Sequence, residues 1–384
     1  MSTRQKKRKK IMFVVGTRPE IIKAASVIQR LRRNKELHVA VCLSGQHVSM
    51  VDQMLEDFKI NLKYDLKIMK KDQSLTDIAA RLMPKLDKVY KEFKPDLVFV
   101  QGDTTTAFIA AFLAFYNKIK VAHIEAGLRT LDRYSPFPEE MNRTLISQLT
   151  DRHYAPTLPA LRNLKRCGVK ENHIAVTGNT GIDSVKFIAS KKRPFINKKL
   201  DRTHKYEKVI LLTAHRRENF GLRMKSIFEA VEEIAKLHPE VLIVYPVHPN
   251  PNVKKIAQKM LSGVENIMLT GSLHYRDLVR VMKESYMILT DSGGIQEEAT
   301  SLGKPVLVLR DKTERPSGNT KLVGAVESDI VRETERLFEG GQHCKYMSEP
   351  RNTFGDGRAA EYIEEDIMLF LRGQAVPGKK RTFV

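Results

Sequence analysis

Three carboxylates stand where apolar runs give way to polar, helix-starting segments. Asp103 lies in Gln101-Gly102-Asp103-Thr104-Thr105-Thr106, Glu125 in His123-Ile124-Glu125-Ala126-Gly127-Leu128-Arg129, and Glu139 in Pro138-Glu139-Glu140-Met141-Asn142-Arg143. Each has an ordinary reading when taken alone. Asp103 fits an N-cap, Glu125 a surface ion pair, and Glu139 a helix-dipole partner. Loops that follow neighbouring parallel strands converge at one end of the sheet, however. Carboxylates gathered there raise one another's pKa values and suit removal and return of a proton. Cations and glycines form the other half of the pattern. In Gly16-Thr17-Arg18-Pro19-Glu20, Gly16 permits a tight turn, Pro19 opens a helix, and Arg18 at the helix start makes an anion site within reach of Lys23. Further along, Leu212–Asn219 carries His215, a candidate acid, base or diphosphate partner. The segment Thr290-Asp291-Ser292-Gly293-Gly294-Ile295-Gln296-Glu297-Glu298-Ala299 lets backbone N–H groups approach a phosphate, with Glu298 placed to accept from ribose hydroxyls. Arg310–Pro316 adds a further cation near that site.

The elements that must position these residues alternate. Short apolar runs predict buried strands at Ile11–Val15, Val39–Leu43, Leu97–Val100, Val121–Ile124, Ile174–Val176, Val209–Leu212, Val241–Tyr245, Ile267–Leu269, Met287–Leu289 and Val306–Leu309. Amphipathic stretches lie between them, such as Pro19–Leu31 and Leu75–Phe93. Strands alternating with helices imply right-handed crossovers and parallel sheets. Residues 189–208 are polar, lack apolar periodicity, and predict a linker. The expected organisation is a basic disordered tail over 1–10, a Rossmann-like domain over 11–188, the linker, and a second Rossmann-like domain over 209–356. A last helix near 357–372 is expected to cross back onto the first domain. Two doubly wound α/β halves would face a cleft, with ligand groups at the carboxyl ends of the strands.

Composition narrows the class. A chain of 384 residues with 42% apolar content suits two soluble domains. No apolar run approaches the roughly 18–20 residues of a membrane span, and Ile11–Val15 is too short for a signal-peptide core. The expected location is the cytoplasm. Cys42, Cys167 and Cys344 show no paired spacing and predict reduced thiols rather than disulfides or a metal site. The net charge of +21 invites a nucleic-acid reading, but the basic residues are dispersed, without aromatic interleaving or a recognition motif. A basic surface that concentrates a diphosphate substrate accounts for it instead.

These residues together resemble the non-hydrolysing UDP-N-acetylglucosamine 2-epimerases. The segments GTRPE, GQH (45–47), GDTTT, HIEAGLRT, SPFPEEMNR, VTGNTGID (176–183), TAHRREN, YPVHPNP (245–251), DSGGIQEEA and GKPVLVLRD match that family's motifs, in order, from about residue 11 to about 372. The resemblance implies the glycosyltransferase-B type of two-domain fold, a homodimer, and no metal or other cofactor. It implies reversible conversion of UDP-N-acetylglucosamine to UDP-N-acetylmannosamine, feeding cell-surface polysaccharide. UDP would be eliminated and added back through enzyme-held 2-acetamidoglucal. On this resemblance Asp103, Glu125 and Glu139 transfer protons and His215 assists at the diphosphate. Arg18, Lys23 and Arg143 hold the diphosphate and sugar, Ser292 and Gly293 the phosphates, Glu298 the ribose, and Arg315 the closed site. Gln46, Arg216, Glu218 and His248 match a second, allosteric substrate site found in many bacterial members.

The sequence departs from the family at four places. Ser317-Gly318-Asn319-Thr320 is shorter than the usual loop, Thr300 replaces a usual proline, Ser49 and Asp72 differ at the allosteric positions, and the tail is basic. Competing expectations are a glycosyltransferase of the same fold, a hydrolysing 2-epimerase releasing N-acetylmannosamine and UDP, an epimerase of a diacetamido uronic acid sugar, and a non-enzymatic binding module.

Overall fold

Runs such as Ile11-Met12-Phe13-Val14-Val15 and Val209-Ile210-Leu211-Leu212 are apolar on both faces, so they are stable only when helices cover both sides of their sheet. A computed structural model, which describes residues 8–45, 51–70, 73–374 and 381–383, shows two such sheets. Among these residues the first holds seven parallel strands: β1 (Lys9–Val15), β2 (Leu37–Leu43), β3 (Tyr64–Asp65), β4 (Leu97–Gln101), β5 (Lys120–Ile124), β6 (Arg152–Ala155) and β7 (Ile174–Val176), in the order β3-β2-β1-β4-β5-β6-β7. The second holds six: β8 (Lys208–Thr213), β9 (Val241–Pro246), β10 (Ile267–Thr270), β11 (Met287–Thr290), β12 (Val306–Val308) and β13 (Thr320–Leu322), in the order β10-β9-β8-β11-β12-β13. Each sheet reverses direction beside its first strand, at β1/β4 and β8/β11, the switch point where ligands bind in doubly wound folds.

Helices of the first unit are α1 (Arg18–Arg32), α2 (Val51–Asp57), α3 (Leu75–Phe93), α4 (Thr105–Tyr116), α5 (Glu139–Leu149), α6 (Leu158–Arg166) and α7 (Thr180–Ala189), whose last turn passes into the second. The second has α8 (Leu222–Leu237), α9 (Pro251–Leu261), α10 (Tyr275–Glu284), α11 (Gly293–Ser301), α12 (Glu327–Phe338) and α13 (Gly341–Met347), and α14 (Ala359–Leu371) returns to the first. Among the described residues no helix is long and apolar enough to cross a membrane.

Three features differ from the sequence expectation. Lys9 and Lys10, assigned to the tail, extend β1. Lys9 N donates to Glu36 O at 2.9 Å and Lys10 N to the Asp96 carboxylate at 2.7 Å, so the ladder continues past the apolar run. Residues 1–7 of the expected tail lie outside the described residues. The stretch 189–208 is built rather than structureless. Phe195 and Leu200 are buried in the second core, a 3₁₀ turn spans Lys198–Lys205, and buried Asp277 accepts from the N–H groups of Ile196 at 3.0 Å and Asn197 at 2.9 Å. The two compact units meet along the chain at Ser184/Val185, inside α7, and again at Phe354. Finally, β3, β6 and β13 have no apolar run to announce them.

The crossing helix is fastened by charge. Arg152 of β6 is 1% exposed and forms two hydrogen bonds with Asp366 of α14, where Tyr154 also donates, at 3.1 Å. Asp183 accepts from the N–H groups of Ala359 at 3.2 Å and Ala360 at 2.9 Å, satisfying the start of α14.

Candidate functional site

In the first unit, the loop after β1 presses against its neighbours. A Cβ at Gly16 would meet Ser44 Oγ and Thr106 Oγ1 at 2.5 Å each, so only glycine lets β1 turn into α1 here. Glu20 in the first turn of α1 is buried and accepts from Gly16 N at 3.1 Å, Thr17 Oγ at 2.8 Å and Thr104 Oγ at 2.8 Å. Burial outweighs these donors and pushes its carboxyl up to about 7. Glu20 therefore ties the Arg18 loop to the loop after β4.

That second loop turns at Gly102, with φ +67°. The N-cap of α4 is Thr104, whose hydroxyl accepts from Ala107 N at 3.0 Å. Asp103 is thus not spent on capping. Its carboxylate faces Arg143 of α5, with Nε at 2.8 Å and Nη2 at 2.7 Å, and its carbonyl accepts from the Asn142 side chain at 2.8 Å. Burial raises the Asp103 pKa, Arg143 pulls it down, and the nearby Glu125 charge raises it again. Glu125, one residue past β5, sits in the left-handed region at φ +64°, a conformation costing a non-glycine residue on the order of 1 kcal/mol. Both of its oxygens accept from Lys23 Nζ, at 2.6 and 2.7 Å, and Gln101 donates to one.

Two adjacent glutamates at the start of α5 divide their work. Glu140 accepts from the N–H groups of Thr130 at 3.0 Å and Leu131 at 3.2 Å and pairs with Arg143 at 3.2 Å, so it organises the loop. Glu139 has one oxygen, Oε2, buried with no hydrogen-bond partner. That is the condition expected of a group that meets its partner on another molecule.

His123, quoted in the sequence motif but assigned no role, is the residue that the pattern did not reveal. It is buried, and its Nε2–H donates to Gly102 O at 2.7 Å. Burial pushes its pKa down to about 4, so it remains a neutral donor. Gly102 N in turn donates to Ile124 O at 3.0 Å. The Asp103 turn is therefore pinned on both sides to the strand that presents Glu125. An imidazole inside the apolar run of β5 was the only sequence signal.

In the second unit, the loops after β8 and β11 meet on Asp291. Its side chain is fully buried and accepts from the N–H groups of His215 and Arg216, both at 2.8 Å, and from Asn219 at 3.1 Å. His215 Nδ1 lies 3.6 Å from the other carboxylate oxygen. The His215 ring stacks on His248 at 5.1 Å between centroids, with planes 14° apart. Burial lowers the His215 pKa; Asp291 opposes this, and His248 and Arg216 add to it. Ser292 occupies the N-cap position of α11 without capping it, and Gly293 and Gly294 open the helix, leaving its first amides facing no side chain of their own turn. Arg315 lies on Gly293, where a Cβ would approach its Nη1 to 2.3 Å, and its Nε donates to Glu297 at 2.6 Å. Glu298 accepts from Tyr275 at 3.1 Å, and Arg310 pairs with Glu218 at 2.6 Å.

The predicted residues therefore fall into two groups. Lys23, Asp103, Glu125, Glu139 and Arg143, with Arg18 opening α1, belong to the first unit; His215, Arg216, Glu218, His248, Ser292, Gly293, Glu298 and Arg315 belong to the second. Gln46, Ser49 and Asp72 lie outside the described residues. Two of the departures from the family pattern touch each other: the Thr300 hydroxyl, where proline is usual, is 3.0 Å from Ser317 Oγ in the shortened loop. That loop closes on itself, Ser317 N donating to Thr320 Oγ1 at 2.9 Å, and leads directly into β13.

Comparison with known proteins adds the chemistry. The sequence model of the family described as UDP-N-acetylglucosamine 2-epimerase matches residues 29–368. The chain is 44% identical to the UDP-N-acetylglucosamine 2-epimerase of Campylobacter jejuni, covering 95% of this chain and 98% of that one. Its structure is similar to the UDP-GlcNAc 2-epimerase from Neisseria meningitidis bound to UDP-GlcNAc, with a TM-score of 0.86, 45% identity, and coverage of 94% and 99%. The Methanocaldococcus jannaschii UDP-GlcNAc 2-epimerase in complex with UDP-GlcNAc and UDP aligns with a TM-score of 0.76 at 33% identity, over 94% of this chain and 99% of that one.

Proposed function

This chain belongs to the UDP-N-acetylglucosamine 2-epimerase family, whose members are isomerases, and we propose that it inverts C2 by elimination and re-addition of UDP rather than by hydrolysis. The observation that carries this reading is the pair of restrained carboxylates in adjacent strand-end loops, Glu125 on Lys23 and Asp103 on Arg143, together with the unpartnered oxygen of Glu139 at the start of α5.

The C2 proton of an N-acetylhexosamine is weakly acidic, so its removal must be coupled to departure of a good leaving group. A carboxylate of the first unit takes that proton. The C2 electron pair forms the C1–C2 double bond of 2-acetamidoglucal, and the C1–O bond breaks with its electrons passing to the β-phosphate oxygen of UDP. A carboxylic acid on the other face returns a proton to C2, and the same phosphate oxygen re-forms the bond to C1. No water is consumed and no redox change occurs. Burial raises the Asp103 pKa above its ordinary value while Arg143 opposes it, which favours proton uptake relative to an exposed aspartate. Arg18, Lys23 and Arg143 would stabilise charge developing on the leaving diphosphate. In the second unit, Ser292 and Gly293 at the start of α11 suit a phosphate, Glu298 the ribose, and His215 and Arg315 the diphosphate.

Assembly as a homodimer is part of the same proposal. The outward side of α4 supports it: Phe115 and Tyr116 are 59% and 66% exposed, with Leu145 of the adjoining α5 at 40%. Light scattering of Phe115→Glu/Tyr116→Glu should then report a monomer.

Proton NMR of UDP-N-acetylglucosamine with the enzyme in D₂O tests the chemistry. UDP-N-acetylmannosamine carrying deuterium at C2, with the substrate pool labelled as well, is the expected outcome. Accumulation of free N-acetylmannosamine and UDP would overturn the non-hydrolysing mechanism.

A further inference from the structure

The segment that leads into the second sheet, together with one face of α10, lines an open cavity of about 630 Å³ that the catalytic reading does not use. That size lies within the range of small-molecule sites, about 300–1,000 Å³. Its walls gather six cations: Lys191, Lys192 and Arg193 from the connecting segment, and Arg276, Arg280 and Lys283 from α10. The last three recur at helical spacing, so α10 turns a single basic face toward the segment.

Like charges drawn into a concavity repel one another, and this wall holds six cations against two carboxylates. Of the two carboxylates present, Glu284 is taken by Arg280 at 2.7 Å, which leaves Asp201. Two of the cations hold the wall together: Arg280 Nη1 donates to Arg193 O at 2.8 Å and Lys283 Nζ to Ala189 O at 2.9 Å. Arg276 is different. Its Nε is buried with no hydrogen-bond partner, an orphaned cationic donor of the kind that folded proteins rarely leave unmet. The surplus field extends outward, since Lys304 is held below its ordinary range first by burial and then by the charge of Lys283.

We infer that this cavity is a second anion site, which takes a small molecule bearing two or more phosphate groups. Arg276 and Arg193 supply guanidinium donors suited to phosphate oxygens, and Lys191 and Lys192 add ammonium charge at the rim. It shares no residue with the phosphate-facing start of α11 or with the carboxylate loops of the first unit. A bound oligophosphate would tie residues 191–193 to α10, the helix whose first residue, Tyr275, holds Glu298.

The test is a calorimetric titration of the intact enzyme with inorganic tripolyphosphate, in saturating UDP so that the catalytic phosphate site is filled. One additional site is expected. In the variant Lys192→Gln/Arg193→Gln/Arg276→Gln, the apparent Kd should rise about tenfold or more, with each lost charge-assisted contact contributing. Epimerase turnover and the melting midpoint should stay at wild-type values, because none of the three side chains makes a structural tie described above. Absence of tripolyphosphate binding, or equal binding by the triple variant, overturns the proposal. So does a short RNA duplex that binds through these residues while tripolyphosphate does not, because the partner is then a macromolecule.

Discussion

The two units share a frame but use charge in opposite senses. At the switch point of the first sheet cations restrain the candidate catalytic carboxylates: Lys23 grips Glu125, and Arg143 grips Asp103. At the switch point of the second sheet carboxylates restrain cations and an imidazole: Glu297 holds Arg315, Glu218 holds Arg310, and Asp291 holds the loop of His215. A parallel α/β sheet fixes only where strand ends gather. What can react there depends on which charged side chains the strand-end loops bring together.

The largest effects should come from reversing that polarity in the first unit. Asp103→Asn and Glu125→Gln keep the side-chain volume but cannot carry a proton, and turnover should fall by about 10²–10⁴. UDP affinity, measured by calorimetry, should change by less than about threefold. A large loss of UDP affinity would show that these carboxylates order the ligand site rather than move protons. Asp291→Asn is the matching change in the second unit. Two backbone N–H groups and an amide point at one oxygen, and the amide that replaces it accepts at only one of its two positions. UDP affinity should fall about tenfold or more, the equivalent of losing roughly one charge-assisted bond. Deuterium exchange at C2, measured at saturating UDP-sugar, should suffer much less.

A smaller effect tests whether the carboxylate side needs its own scaffold. His123→Phe removes the donor to Gly102 while keeping a ring in the apolar wall, whereas His123→Gln can place an amide N–H near the position of Nε2. The expected pattern is a kcat about tenfold lower in His123→Phe with KM nearly unchanged, and substantial recovery in His123→Gln. Equal losses in both variants would mean that His123 only fills space.

Much of this comparison was open to the sequence, and the reason it stopped is physical. Apolar runs marked the central strands, because buried parallel strands must be apolar on both faces. The strand Arg152–Ala155 was invisible because its buried arginine is neutralised by Asp366, more than two hundred residues away. The candidate catalytic carboxylates could be found as strand-end residues, but their partners could not. Lys23 and Glu125 are 102 residues apart, and nothing local announces the contact. The residues that hold the site, Glu20, His123 and Asp291, were overlooked for a related reason. Their work is defined by which backbone groups they face, which only the folded chain displays. Thr104 shows the converse: by capping α4 itself it leaves Asp103 available, a division that the sequence Asp-Thr-Thr-Thr leaves open.

Glu20 offers the finest test, because it links two loops of the first unit while buried. Its folded pKa is raised from 4.5 to about 7, chiefly by burial. Below about pH 4.5 the carboxyl is protonated in both folded and unfolded chains, and its burial carries no ionic penalty. As pH rises through 7, the unfolded chain has already ionised, and this stability is lost. His123 and His153 run the other way, with folded pKa values pushed down by burial to about 4 and about 3. Their stability is full above the unfolded value near 6.5 and is lost as pH falls through the folded values. The slopes oppose each other between about pH 4.5 and 6.5, where the two histidines outweigh the one carboxyl in the wild type. Glu20→Gln removes one of them. Relative to wild type, the variant should gain on the order of 3 kcal/mol between pH 4.5 and 8 in chemical denaturation. A difference that stays flat with pH would mean that Glu20 is ionised throughout. The donors from Gly16, Thr17 and Thr104 would then outweigh burial, and the two loops would be joined by a buried charge rather than by a neutral acid.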